Sequence, residues 1–342
     1  MTMGKNPSSS VHFGSIDFLR AVAAISVCIF HLATGYLHSG NPVYNIFKEG
    51  HLGVEVFFVI TGFLVPMSLA RKNYLLSLNT FGKYMLDRFL RLHPAYMAAV
   101  FICVFQEYIG SLMPGLGRPF WVQLQDIIWH FFYLPPFVGR PWLLILFWTL
   151  MIQFQFYIMF GLLYHLFMND KKWIRLLTIG SFIGINYFLD DLKYNNYLLF
   201  YMVIFIPGIL IYQRSRGFWT DMEFLLLLLV DCYVLYDQRF DEILRPAAVL
   251  FAGICIQYLN INHPIWKWLG NISYSLYLIH LPVGWSFMGM VSQHTQDERL
   301  LTLGLFGAVL LSIAAAYIFY LLVENPSQKM AGKIMAKLAP LR

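Results

Sequence analysis

Residues 16–37 read IDFLRAVAAISVCIFHLATGYL. The stretch is long enough to cross a bilayer, since ~20 residues span the hydrocarbon core. Arg20 and His31 interrupt it, eleven positions apart. At ~100° per residue that spacing is three turns plus ~20°, so both side chains leave nearly the same helix face, ~16 Å apart along the axis. Ionisable groups inside a span are expensive and mark function by default. The plainer alternative is a snorkelling arginine and an isolated core histidine.

The rest of the chain repeats this apolar character. Charged residues make up 12% of the 342, hydrophobic residues 59%, and the mean hydropathy is +0.61. Soluble proteins carry ~25% charged residues, about twice as many. A soluble globule, a disordered chain, a collagen-like fibre and a disulfide-rich scaffold are each excluded by this bias. Ten apolar segments stand out, at about 16–37, 52–70, 92–112, 142–168, 173–189, 196–213, 221–236, 246–259, 269–291 and 300–323. The seventh contains Asp231 and the eighth is short. The expected fold is an all-α polytopic membrane protein of about ten transmembrane helices. Lipid favours helices because every backbone polar group must be satisfied internally.

Lys and Arg sort unevenly across these segments, 17 on the side of the termini and 7 on the other. The positive-inside rule then places both termini in the cytoplasm. It also accounts for the net charge of +6 without a nucleic-acid partner, since no basic run alternates with exposed aromatics. The first 15 residues are polar and the first span exceeds a signal-peptide core, so that span is expected to be retained. The organisation expected is a cytoplasmic tail over 1–14, a membrane domain over 15–328 and a basic cytoplasmic tail over 329–342. Cys28, Cys103, Cys232 and Cys255 fall inside apolar spans with no metal-ligand spacing, so they read as small buried hydrophobes and no metal is expected. The longest non-cytoplasmic loop, 113–141, is rich in Pro, Gly and Trp. It fits a plain connector and part of an outward-facing acceptor site equally well.

Other intramembrane polar groups extend the first signal. Glu55 lies one turn inside the outer end of the second segment, at a depth where an antiparallel His31 can meet it. A carboxylate bound to one imidazole nitrogen fixes the tautomer and makes the other nitrogen a better base. Alternatively Glu55 snorkels to headgroups. Arg88 and Arg91 are i, i+3 neighbours at the entrance to the third segment. Paired guanidinium forks suit a phosphate-bearing ligand, or anchor lipid headgroups. Glu107, Asp231 and Glu324 complete the carboxylates at spans. Glu324 beside Pro326 reads as a helix-end feature, and His165 as interfacial.

Taken in order, these pieces resemble the membrane-bound acyltransferase-3 family over about 14–328. The matching elements are Ile16-Asp17-Phe18-Leu19-Arg20 with His31, and Gly53-Val54-Glu55-Val56-Phe57-Phe58-Val59-Ile60-Thr61-Gly62-Phe63. Arg88 and Arg91 with Leu92-His93-Pro94 follow, then Trp148-Thr149-Leu150 with Phe156-Tyr157. The series ends with Gly270-Asn271-Ile272-Ser273-Tyr274-Ser275-Leu276-Tyr277-Leu278-Ile279-His280-Leu281-Pro282 and Val323-Glu324-Asn325-Pro326. Each fragment alone is weak; six in sequence are specific. Two positions depart: Gln153 where the family often has Glu, and His93 in place of the usual Tyr. Some relatives add an extracytoplasmic esterase-like domain, which is not expected here.

The resemblance implies transfer of an acyl group, usually acetyl, from cytoplasmic acyl-CoA to a hydroxyl of a cell-envelope saccharide at the bacterial inner membrane. Family acceptors include O-antigen, exopolysaccharide, peptidoglycan and some antibiotics or lipids. On this reading Arg88 and Arg91 hold the phosphates of acetyl-CoA, Arg20 adds charge at the same entrance, and His31, oriented by Glu55, is the base. No serine or cysteine is marked as a nucleophile. Tyr274, Tyr277 and His280 line the acceptor side, or form aromatic core. The rival reading is a transporter or flippase for a lipid-linked saccharide. It accounts for the spans and charges but not for paired arginines with a co-facial histidine, and no inverted repeat is evident.

Overall fold

A computed structural model describes residues 14–113, 119–188, 196–237 and 243–338. Pro114, Gly115, Gly117 and Arg118 of the long loop lie outside the described residues, as do Lys5, Lys193, Arg239 and Arg342 of the charge count. The described residues contain helices and no strand. They form α1 (Gly14–Tyr36), α2 (Pro42–Phe47), α3 (Gly53–Arg71), α4 (Leu78–Leu112), α5 (Leu124–Phe131), α6 (Phe147–Phe167) and α7 (Lys172–Phe188). Then come α8 (Met202–Ser215), α9 (Asp221–Asp237), α10 (Leu244–Tyr258), α11 (Pro264–His280), α12 (Ser286–His294), α13 (Glu298–Phe319) and α14 (Asn325–Leu338).

Five helical stretches are long and apolar enough to cross a membrane: Gly14–Tyr36, Pro42–Arg71, Leu78–Leu112, Phe147–Phe167 and Glu298–Leu338. The other five apolar segments form shorter helices, of 17 residues in α7 and α9, 14 in α8 and 15 in α10, with the ninth divided between α11 (17) and α12 (9). The third and last segments are much longer than expected. Leu78–Leu112 is one helix capped by Ser77, which accepts a hydrogen bond from the Thr80 amide, so Arg88 and Arg91 sit inside α4. Helix α14 covers much of the expected C-terminal tail and packs along the first turns of α4, where Lys83 Nζ donates to Leu338 O at 2.8 Å.

Two tight crossings fix the bundle. Gly62 of α3 faces Gly208 of α8: a Cβ on the first would lie 2.1 Å from Phe205 O, and on the second 2.1 Å from Val59 O. Lipid supplies no hydrophobic drive between helices, so close approach at small residues is what holds such a pair. Aromatic rings continue the contact. Phe205 stacks on Phe58 at 4.6 Å and on Phe156 of α6 at 4.2 Å. The second crossing joins α1 and α11, which run parallel: a Cβ on Gly270 would lie 2.7 Å from Asp17 O, and Ser15 Oγ and Tyr36 Oη donate to Leu259 O and Trp285 O, before and after α11, at 2.8 and 2.9 Å.

Helices α11 and α12 are joined by a wider π-helical turn, Leu281–Trp285, so Pro282 is accommodated without ending the helix. A second such turn, Tyr320–Glu324, links α13 to α14. π-Bulges often mark functional positions, and these two directly follow His280 and end at Glu324. All four cysteines are buried and reduced.

Candidate active site

The bundle holds two adjoining cavities, both partly open. The first, about 360 Å³, takes its wall from Arg20 of α1, Arg88 and Arg91 of α4, Gln153 and Tyr157 of α6, Tyr274 of α11 and Gln328 of α14, among others. The second, about 440 Å³, is lined by His31, Lys48, His51, Glu55, Trp148, Tyr201 and Arg245 with neighbouring apolar groups. Val54, Phe58, Thr149 and Tyr277 line both. Arg20 and His31 therefore serve different cavities from one helix.

The arginine cavity is strongly cationic. Asp87 stands behind it rather than in its wall, and holds Arg91 Nε at 2.8 Å and Lys72 Nζ at 2.7 Å. Arg88 is held differently. Its guanidinium lies over the rings of Tyr84 and Tyr157, at 5.6 and 5.4 Å. Its Nε and Nη2 are buried with no hydrogen-bond partner among the described residues. Buried donors of a cation are costly to leave unsatisfied, so this site is chemically suited to an anion with several oxygens. Beside it Gln153 Nε2 donates to Tyr157 Oη at 2.7 Å and to Thr61 Oγ1 at 3.2 Å, so the glutamine that departs from the family pattern braces the wall.

In the second cavity the tautomer of His31 follows from its partners. Nδ1 lies 2.9 Å from Val27 O, a group that only accepts, so Nδ1 carries the proton. The same reasoning protonates His280 Nδ1, 3.0 Å from Leu276 O, and leaves His280 Nε2 to accept from His31 Nδ1 at 3.3 Å. His31 Nε2 thus keeps its lone pair on a ring that lines the cavity. The carboxylate expected to orient His31 is engaged elsewhere: Glu55 binds Arg245 of α10 at 2.8 Å, with both side chains largely buried. The expected Glu55–His31 hydrogen bond is replaced by the backbone of α1 and by His280.

The three residues expected on the acceptor side are separated. His280 is fully buried behind His31 and lines neither cavity. Tyr274 lines the arginine cavity and donates to Leu92 O at 3.0 Å. Tyr277 stands where the cavities meet, its hydroxyl 2.7 Å from Thr149 Oγ1. Arg245, Lys48 and Gln328 were not singled out from sequence. Arg245 precedes a short apolar segment and looks like a loop charge until α10 is placed against α3.

Glu324 is buried, and accepts from the Ser275 amide at 3.1 Å, from the Ser275 hydroxyl and from Gln328 Nε2 at 2.9 Å. It thereby ties α11 to the start of α14. Helix α5 lies within the 113–141 loop. There Asp126 pairs with Arg140 at 3.3 Å, and His130 Nε2 accepts from the Leu143 amide at 3.1 Å. Burial pushes the His130 ring below its usual pKa of 6.5. Among the described residues no cluster of His, Cys, Asp and Glu is arranged to hold a metal ion.

No solved structure matches the chain. Among curated proteins it is 24% identical to a peptidoglycan O-acetyltransferase (OatA) of Listeria monocytogenes, over 79% of this chain and 49% of that one. It is also 24% identical to a putative O-acetyltransferase of Staphylococcus aureus, over 94% of this chain and 58% of the relative. A nodulation protein of Rhizobium leguminosarum is 25% identical, over 56% of each chain. The chain thus spans about half the length of the curated relatives it matches. A family model described as an acyltransferase domain matches residues 13–321. The chain belongs to the acyltransferase-3 family.

Proposed function

We propose that this protein is an O-acyltransferase that moves acetyl from acetyl-CoA to a hydroxyl of a cell-envelope saccharide. The observation that carries the reading is the pair of cavities, one walled by arginines and one by a histidine with a free basic nitrogen, joined at Thr149 and Tyr277. The arginine cavity faces the cytoplasm of a bacterial inner membrane, and the histidine cavity receives the acceptor from the other side. Both termini are cytoplasmic, in keeping with the distribution of Lys and Arg.

Arg88, with two buried donors lacking acceptors, and Arg91 grip donor phosphates. Arg20 adds charge at the same wall. The ~16 Å from Arg20 to His31 along α1 leaves room for an extended pantetheine arm to carry its thioester to the junction. His31 Nε2 takes the proton of the acceptor hydroxyl as its oxygen bonds to the thioester carbonyl carbon. The carbon–sulfur bond then breaks, and His31 returns the proton to the leaving thiolate. General-base help of this kind supplies ~10²–10⁴-fold. A transporter of lipid-linked saccharide needs neither the base nor an acyl donor.

The test uses membranes containing the chain, radiolabelled acetyl-CoA and envelope polysaccharide. Label should enter the polysaccharide with the wild type and be lost with His31→Ala at equal levels of folded protein. Wild-type turnover in His31→Ala would remove the base assignment. Absence of label from folded wild type with every acyl-CoA would favour transport.

A further inference from the structure

The four residues that line both cavities are two apolar groups, Val54 and Phe58, and two hydroxyl groups, Thr149 and Tyr277. If donor and acceptor approach from opposite cavities, as the proposed function requires, the thioester carbonyl sits at this junction. Its oxygen gains negative charge as the acceptor oxygen attacks. Catalysis then depends on a donor aimed at that oxygen. His31 is committed to the acceptor proton, Arg20, Arg88 and Arg91 lie in the wall of the arginine cavity, and Arg245 is engaged by Glu55. The shared wall offers only these two hydroxyl groups.

We infer that the Tyr277 hydroxyl is this donor, with Thr149 as its positioning partner. Tyr277 is 6% exposed, and its ring is held edge-on to Phe57 at 6.0 Å. Its hydroxyl is 2.7 Å from Thr149 Oγ1 and 3.3 Å from Leu146 O, and Thr149 Oγ1 is 2.8 Å from Leu146 O. Three proton arrangements fit this triangle. In two of them the Tyr277 proton is spent inside the triangle, on Thr149 Oγ1 or on Leu146 O. In the third, Thr149 donates to the Tyr277 oxygen, and the Tyr277 proton leaves its long 3.3 Å contact with Leu146 O and turns toward the junction. The third arrangement presents an O–H donor whose own oxygen is still hydrogen-bonded. Tyr277 keeps its proton throughout. The acceptor O–H bond breaks to His31, the carbonyl π pair moves to oxygen under the Tyr277 hydrogen bond, and the pair returns as the carbon–sulfur bond breaks. His31 then protonates the thiolate.

The experiment compares Tyr277→Phe with wild type in detergent-solubilised full-length protein. It uses acetyl-CoA with two acceptors: envelope polysaccharide, and a short alcohol too small to need sugar-binding contacts. Loss of one such donor typically lowers kcat by ~10²–10³. The expected result is that loss with both acceptors, with both KM values within about threefold of wild type. Genetically encoded 3-fluorotyrosine at 277, a stronger donor of nearly the same shape, should restore at least wild-type kcat; a structural role for the hydroxyl predicts no such dependence on acidity. A loss confined to polysaccharide and expressed in KM would make Tyr277 an acceptor contact and overturn the inference. Unchanged kcat in Tyr277→Phe would overturn it too, while leaving the transferase reading intact. Wild type that labels neither acceptor overturns both.

Discussion

Gly62→Ala tests the frame that holds both cavities. An alanine Cβ at this position would lie 2.1 Å from Phe205 O, whereas ordinary contacts begin near 3.4 Å. Helices α3 and α8 must therefore part by about 1.3 Å, and the facing Gly208, whose own Cβ would be 2.1 Å from Val59 O, shows that backbone meets backbone on both sides. No flexible side chain is available to yield. Overpacking in a close-packed interior costs ~1–3 kcal/mol, and the parting also unstacks Phe58 from Phe205. Glu55, Phe58 and Thr61 on α3 all line a cavity, so the active-site wall moves with the helix. Displacement of ~1 Å can cost ~10² in rate. We expect lower thermal stability by fluorescence-detected size exclusion and turnover reduced about a hundredfold, measured on the folded fraction. A Gly62→Ala protein with wild-type stability and turnover would refute the close crossing.

Arg88→Lys should raise the KM for acetyl-CoA by at least ~10-fold, because a point charge cannot replace a planar fork. Arg91→Lys should have a smaller effect, since Asp87 already holds that side chain; steady-state kinetics against acetyl-CoA would decide the order. Glu324→Ala removes the partner of the buried Ser275 hydroxyl, at ~1–3 kcal/mol, and should lower the unfolding temperature while loosening Gln328 at the arginine cavity. Burial lowers the His130 pKa, so below pH 6.5 the unfolded ring takes a proton before the folded one does. This contribution to stability is complete above pH 6.5 and declines as pH falls toward the lowered value, so His130→Gln should flatten part of the acid dependence seen in melting curves.

Much of α1 could be read in advance, because the positions of Arg20 and His31 on one helix follow from rise and turn alone. Their assignment to different cavities could not, because it depends on α3, α6 and α11 closing the space between them. The partners of His31 and Glu55 were hidden for the same reason. His280 lies 249 residues from His31, and Arg245 lies 190 from Glu55. Hydropathy found the apolar segments but misjudged their lengths. Lys83, Asp87, Arg88 and Arg91 lie outside the apolar segment that hydropathy marks, whereas they belong to the same continuous helix, α4. Pro282 could equally have ended a helix; its accommodation in a π turn depends on packing against α13.

The lengths of two helices bear on how a charged substrate reaches a reaction inside lipid. Glu298–Phe319 alone rises ~33 Å at ~1.5 Å per residue, already enough for the ~30 Å hydrocarbon core. Asn325–Leu338 adds ~20 Å of helix beyond that length, as does the stretch of α4 from Leu78 to Arg91. These two overhangs lean on each other through Lys83 and Leu338, and they carry Gln328, Arg88 and Arg91. On the proposed function these two overhangs are where a polyphosphate donor is held outside the hydrocarbon core, so that only the thin uncharged end of the molecule need descend to membrane depth.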